Sequence, residues 1–171
     1  RNFFHDNKTF SLGVCNGCQM LSNLRDIIPG AENWPSFKKN LSDQFEARLV
    51  QAKIEKTNSI LLRGMQGWSI PIASSHGEGR AEYANNFIDK SHVALRYVDS
   101  NNDLTEKYPL NPNGSPEGVA GVTAADGRVT IMMPHPERVF RNLQLSWRES
   151  NDEFSPWMKI FINAKTFSEE V

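Results

Sequence analysis

The segment Leu12-Gly13-Val14-Cys15-Asn16-Gly17-Cys18-Gln19 constrains this chain more than any other, because it sets a cysteine between two glycines where a strand gives way to a helix. The pattern predicts a strand over 9–14, a sharp turn at Cys15 and a helix starting near Asn16. Glycines on either side leave room for a strained backbone and for an incoming substrate. The free N–H groups and positive dipole end of the helix face the sulfur, an environment that favours negative charge on it. Such an elbow presents a nucleophile. It calls for a parallel strand flanked by others and covered by helices on both faces.

With 171 residues, 39% of them hydrophobic, the chain can bury a core and reads as one globular domain. Its 19 basic and 20 acidic residues leave a formal charge of -1, which gives no electrostatic footprint for nucleic acid or an anionic membrane. A small neutral partner fits better. No apolar run reaches the roughly 18 to 20 residues of a membrane span, and the N-terminus lacks signal-peptide layout, so a soluble, cytoplasmic protein is expected. The two cysteines, three apart at a helix start, are poorly placed for a structural disulfide, which accords with a reducing compartment. The elbow strand stands almost at the first residue, Arg1. The chain is therefore expected to be one partial domain, 1–171, of a larger multidomain enzyme, with N-terminal strands missing.

Helical spacing of Met20, Leu21, Leu24 and Ile28 extends the elbow helix over 16–26 until Pro29-Gly30 stops it. The 34–44 stretch has no clean period and reads as an ordered loop. Strands are expected over 48–57, 59–62, 70–74 and 93–98, a helix over 81–86, and a loop over the Asn-, Pro- and Gly-rich 99–118. Asp126-Gly127, between apolar arms over 119–124 and 128–132, signals a hairpin with a type I′ turn. Near the C-terminus Ser155-Pro156 reads as an N-cap and first turn, with Trp157, Ile160, Phe161 and Ala164 on one helical face.

The second hairpin arm runs into Met133-Pro134-His135-Pro136-Glu137-Arg138. Proline after His135 holds it extended, so a histidine and a carboxylate two apart can point the same way. Glu137 then fixes the imidazole tautomer and stabilises its charged form, leaving the other ring nitrogen for the sulfur. Cys15, His135 and Glu137 thus form a nucleophile, a general acid/base and an orienting group.

Three segments, Gly-Val-Cys-Asn-Gly-Cys-Gln followed by Met-Leu-Ser-Asn-Leu, Ser-His-Gly-Glu-Gly-Arg at 75–80, and Met-Met-Pro-His-Pro-Glu-Arg at 132–138, resemble the glutaminase domain of phosphoribosylformylglycinamidine synthases in order and spacing. The resemblance runs from about Thr9 to the C-terminal helix and is nearest to the long, single-chain form. It implies an α/β sandwich of the class I, triad-type glutamine amidotransferase (flavodoxin-like) kind, three-layered, with a mostly parallel sheet between helices. It further implies that Cys15 attacks the side-chain amide of glutamine and that the liberated ammonia goes to a synthetase domain of the same polypeptide. That domain would use ATP and Mg to make formylglycinamidine ribonucleotide in purine biosynthesis. This chain itself needs no cofactor and carries no phosphate-binding loop. Carried over residue by residue, Asn16 supplies an oxyanion-hole N–H, and Gln19, Ser75, His76 and Gly77 line the glutamine pocket, with Glu78 and Arg80 beside them. His76 equally reads as a histidine that orders its loop. The family draws its second oxyanion donor from a glycine-rich loop upstream of the elbow, which this chain lacks. Loss of one donor costs roughly 10²- to 10³-fold in turnover in a related acyl-transfer setting, so the isolated chain is expected to hydrolyse glutamine poorly.

Two other readings compete. Cys15-Asn-Gly-Cys18 is also a C-x-x-C, fit for redox chemistry or half a zinc site, but a metal would need two more ligands and no second pair exists. Cys18, a turn into the helix, reads better as a small core residue. A non-catalytic docking module would rest on 34–48, with exposed aromatics, Lys38, Lys39 and Arg48. His5 reads as a surface residue and His92 as a packing or edge position.

Overall fold

The computed structural model describes residues 2–147 and 151–171. A single helical turn, α1 (Asn2–His5), precedes the elbow strand β1 (Ser11–Val14) and the elbow helix α2 (Asn16–Asn23). Then come β2 (Ser36–Lys38), β3 (Glu46–Ile54), β4 (Ser69–His76), β5 (Arg80–Glu82), β6 (Val93–Tyr97), β7 (Val119–Thr123), β8 (Val129–Met132) and α3 (Met158–Glu170). Six strands form one sheet in the order β1-β8-β7-β6-β3-β4, while β2 and β5 make a separate antiparallel ribbon.

Helices cover both faces of this sheet, as the glutamine amidotransferase-like α/β sandwich requires. Alternate residues of β8 serve the two sides: Val129 and Ile131 pack with Cys18 and Leu21 of α2, and Met132 packs with Ile160 of α3. The expected predominance of parallel pairing is corrected. Among the described residues β1 and β8 run parallel and the four other neighbouring pairs are antiparallel. Parallel neighbours need a crossover of about a dozen or more residues, usually a helix. Here β7 and β8 are joined by a tight turn, and β3 and β4 by an irregular segment, so those strands must reverse direction.

Local differences from expectation have local causes. The 81–86 stretch forms β5 and a 3-10 turn (Ala84–Asn86), because Ala81 and Tyr83 are buried at a period of two beside β2. The 59–62 run is not a strand: Ile60, Leu61 and Leu62 plug the core from consecutive turns. The β7–β8 connection is no type I′ turn. Gly127 alone takes a positive φ, 78°, and its N–H donates to the Ala124 carbonyl at 2.9 Å. Helix α2 stops at Asn23, with a 3-10 turn (Arg25–Ile27) after it, and Met20 points outward rather than into the core. Trp34 is buried, with its indole N–H on the Thr123 carbonyl at 3.2 Å, so it offers no docking surface. Among the described residues no helix is long and apolar enough to cross a membrane.

The sheet curls until the outer edge of β4 meets the chain leaving β8. Ala73 and His135 form an antiparallel bridge there, and the His135 N–H donates to the Ala73 carbonyl at 2.7 Å. The carboxyl ends of β1 and β8 therefore open beside the end of β4. Helix α2 sits tightly on β1 for a steric reason: a Cβ on Gly13 would lie 2.8 Å from both the Gly17 carbonyl oxygen and the Leu21 side chain. Gly13→Ala is expected to push α2 off the sheet and to destabilise the fold by about 1–3 kcal/mol, the cost of overpacking a closed site. Urea unfolding measures it, and an unchanged midpoint would show that the helix yields freely.

Candidate active site

Cys15 stands at the turn between β1 and α2 with φ 51° and ψ -106°, outside the comfortable range of a side-chain-bearing residue. The strain is held from both sides. Its N–H continues the parallel ladder to the Met132 carbonyl at 2.9 Å, and its carbonyl accepts the Gln19 N–H at 3.1 Å, closing the first turn of α2. Sulfur is thereby raised over the ends of the strands. It is half-buried, and it makes a long contact, 3.6 Å, to the Ser75 carbonyl at the end of β4. A Cβ on Gly17 would meet nothing within 4 Å, so the start of α2 is open on that side.

His135 reaches the same place from β8. Its side chain is only 8% exposed, and Nδ1 lies 2.5 Å from Glu137 Oε1. Pro136 opens a 3-10 turn (Pro136–Arg138), so Glu137 comes back beside the extended His135 rather than two residues along a strand. Hydrogen bonding toward Cys15 and then toward Glu137, against the opposing effect of burial, raises the His135 pKa to about 9. Nε2 is buried and has no partner of full hydrogen-bond geometry among the described residues, so the contact with sulfur is poised rather than closed. Burial disfavours the Glu137 carboxylate, but its bond to His135 and the adjacent backbone outweigh that and hold its pKa below the ordinary value. Arg138 adds a looser contact at 3.7 Å.

The remaining residues singled out in the sequence divide into two groups. Asn16 and Gln19 line an open cleft of about 460 Å³ on the outer side of the elbow helix, together with Met20, Asn23, Phe37 and Glu78. Gln19 is tied across it, its amide donating to the Glu78 carbonyl at 3.0 Å. Ser75 and Gly77 are half-buried at the end of β4 and in the bend beyond it, and Arg80 begins β5. His76 is turned inward. It is buried, with Nε2 3.2 Å from the Ser74 hydroxyl, and Gly79 lies so close that a Cβ there would sit 2.6 Å from the ring. That placement belongs to the loop-ordering alternative. Burial, with the nearby charge of His135, lowers its pKa to about 4, so His76 is neutral where His135 is charged.

Sequence reasoning passed over the side chains that brace this bend. Asn40 donates to the His76 carbonyl at 2.8 Å and accepts the Gly79 N–H at 3.0 Å, while Asn113 donates to the Gly79 carbonyl at 2.8 Å. Ser115 accepts the Ala81 N–H at 2.9 Å. Asn40, Asn113 and Ser115 are all buried. The 99–118 segment is irregular as expected, but its core is a polar scaffold and not a mobile connection. The Asn-Pro-Asn-Gly-Ser run was the available signal, since so many short polar side chains close together can satisfy backbone groups where no ladder does.

Redox use of the cysteine pair finds no support in Cys18. Its thiol is fully buried, and burial, then Cys15, push its pKa well up, the reverse of an attacking thiolate. His5 is exposed, and His92, packed where the chain enters β6 between β7 and β3, has Nδ1 2.9 Å from the Thr123 carbonyl. The raised pKa leaves His135 charged at neutral pH, and the sign of its titration follows. Its raised pKa contributes stability in full below the unfolded value near 6.5, and that contribution is lost as pH rises through about 9. An NMR titration of ¹⁵N-histidine-labelled protein is expected to place His135 near 9. Cys15→Ser and Glu137→Gln should each move it down; an unmoved midpoint in both would separate His135 from its two neighbours.

Known proteins share this fold. The chain is similar to PurLQS from Thermotoga maritima, with 28% identity and a TM-score of 0.63 over 91% of this chain and 60% of that one. It therefore spans less than two thirds of that relative. It also shares its fold with a GMP synthase component from Thermoplasma acidophilum, at 14% identity and a TM-score of 0.56, covering 99% of this chain and 62% of the other. The model of the CobB/CobQ-like glutamine amidotransferase domain matches residues 1–168. A match of that extent makes this chain a member of the CobB/CobQ-like glutamine amidotransferase domain family.

Proposed function

We propose that this glutamine amidotransferase domain hydrolyses glutamine through a Cys15 thioester and supplies the ammonia to a synthetase domain that forms formylglycinamidine ribonucleotide in purine biosynthesis. The observation that carries the chemistry is the strained Cys15 beside a buried, charged His135 whose far nitrogen is held by Glu137. The pathway rests on the 75–80 and 132–138 motifs and on the likeness to PurLQS.

Sulfur attacks the side-chain amide carbon of glutamine, and the carbonyl electron pair moves onto oxygen, which faces the Asn16 N–H at the free start of α2. His135 gives its Nε2 proton to the departing nitrogen as the C–N bond breaks, releasing ammonia and leaving the glutamyl thioester. The neutral imidazole then takes a proton from water, whose oxygen attacks the thioester. Sulfur leaves, glutamate forms, and the protonated His135 is restored. Glu137 keeps the ring in one tautomer and stabilises its charge in both halves. Gln19, Ser75 and Gly77 border the glutamine side of the sulfur. ATP and Mg act in the synthetase domain, and the setting is the cytoplasm with the rest of the pathway.

Replacing Cys15 separates this function from a docking role. In the full natural protein Cys15→Ser is expected to abolish glutamine-dependent synthesis while synthesis from free ammonia persists. Loss of both activities, or of neither, would refute the proposal. A diazo ketone analogue of glutamine should label Cys15 alone, whereas labelling of Cys18 as well would favour thiol exchange.

A further inference from the structure

Beneath the site, β3 and β4 bring two buried ionisable groups opposite one another. Glu46 and His76 are register partners in that antiparallel pair. The Glu46 side chain is 1% exposed and His76 is 3% exposed. Each has one polar atom engaged and one without a partner among the described residues. Glu46 Oε2 is paired with the Arg48 guanidinium, and Oε1 is free. His76 Nε2 meets the Ser74 hydroxyl, and Nδ1 is free.

The two open positions are complementary. A carboxylate oxygen can only accept, and a neutral imidazole holds one proton on one of its nitrogens. If the Ser74 hydroxyl donates to Nε2, the ring proton must sit on Nδ1, and the carboxylate across the strand pair is the acceptor for it. Directly opposed residues on adjacent strands share a face, and since neither atom meets the other directly, one water is enough to join them. The Glu46 charge also acts on His76, favouring its protonated form against burial.

We propose that Glu46 is a positioning residue for glutamine hydrolysis: by accepting from His76 Nδ1–H through one water it locks the end of β4, whose main chain holds both the nucleophile and the base. The connection is short. Ser74 and His76 alternate along β4 with Ala73 and Ser75, whose carbonyls receive the His135 N–H at 2.7 Å and the Cys15 sulfur at 3.6 Å. Gly79 closes over the ring, and Asn40 holds the His76 carbonyl, so the ring has no room to turn toward the cleft. At the other end Arg48 pairs with the buried carboxylate. Its guanidinium lies 5.0 Å over the Tyr108 ring and donates to the Tyr108 hydroxyl at 3.0 Å.

This inference rests on the glutaminase reading, and its test is arranged to fail separately. In the full natural protein Glu46→Ala is expected to lower kcat for glutamine hydrolysis about 10- to 100-fold, the scale of a small misplacement of reacting groups. The KM for glutamine should stay within about twofold, the sign of an interaction that matters to the transition state and not to binding. Glu46→Gln keeps an acceptor oxygen and should recover most of the turnover. An unchanged kcat in a folded Glu46→Ala, or a raised KM alone, would overturn the proposal while leaving Cys15 labelling, and hence the glutaminase reading, intact. If Glu46→Ala does not fold, ¹⁵N shifts of His76 in the unmodified protein decide. A proton on Nδ1 near neutral pH supports the pair, and one on Nε2 overturns it.

Discussion

The hydrogen bond from the Cys15 N–H to the Met132 carbonyl is the contact on which the rest of the site depends. It is the last rung of the parallel pair between β1 and β8, and it lies where both strands end. One rung further, β1 has become a helix and β8 has turned toward His135. A parallel pair places two carboxyl ends side by side, so residues from distant parts of the chain emerge at one edge without any loop having to carry them there. The strained φ of Cys15 is tolerable because the rung on one side and the first turn of α2 on the other leave it no alternative. Gly13 makes that possible by letting α2 come down onto the strand.

The remaining strands supply a wall rather than chemistry. By curling until Ala73 meets His135, the antiparallel part of the sheet brings the end of β4 against the parallel pair. The bend after β4 then needs fixing, since Gly77, Glu78 and Gly79 have no ladder of their own. Asn40 from one side and Asn113 from the other bind both peptide faces of Gly79, replacing a ladder by side-chain amides. The ribbon of β2 and β5 carries the chain away from that bend, and Gln19 reaches across to the Glu78 carbonyl from α2. The nucleophile, the base and the pocket wall are thus held by three different kinds of contact.

Legibility in the sequence followed the range of the interactions. The elbow, the His-x-Glu pair, the β7–β8 hairpin and the C-terminal helix are local patterns, and they stand within a few residues of where periodicity put them. Strand direction is not local. Nothing in the residues of β3 or β4 says that they pair antiparallel, because the alternation of buried and exposed side chains is the same either way. The Ala81-Tyr83 alternation was too short to outweigh helical propensity until β2 was beside it. Glu46 and Asn113 were invisible for a related reason. A polar residue in a loop or at the start of a strand is ordinarily solvated, and only the folded chain shows that these two are buried.

Two histidines of the same intrinsic basicity end up in opposite states a short distance apart. His135, facing Cys15 and bonded to Glu137, is raised to about 9; His76, lowered by burial and by the charge of His135 against the pull of Glu46, comes to about 4. Each charge state helps the other, since a protonated His135 makes protonation of His76 still less favourable. Of the two rings, the one beside the sulfur is then the charged one at neutral pH. Environment has separated one residue type into a proton carrier and a wedge, and the sign of each shift follows from what surrounds it rather than from the residue itself.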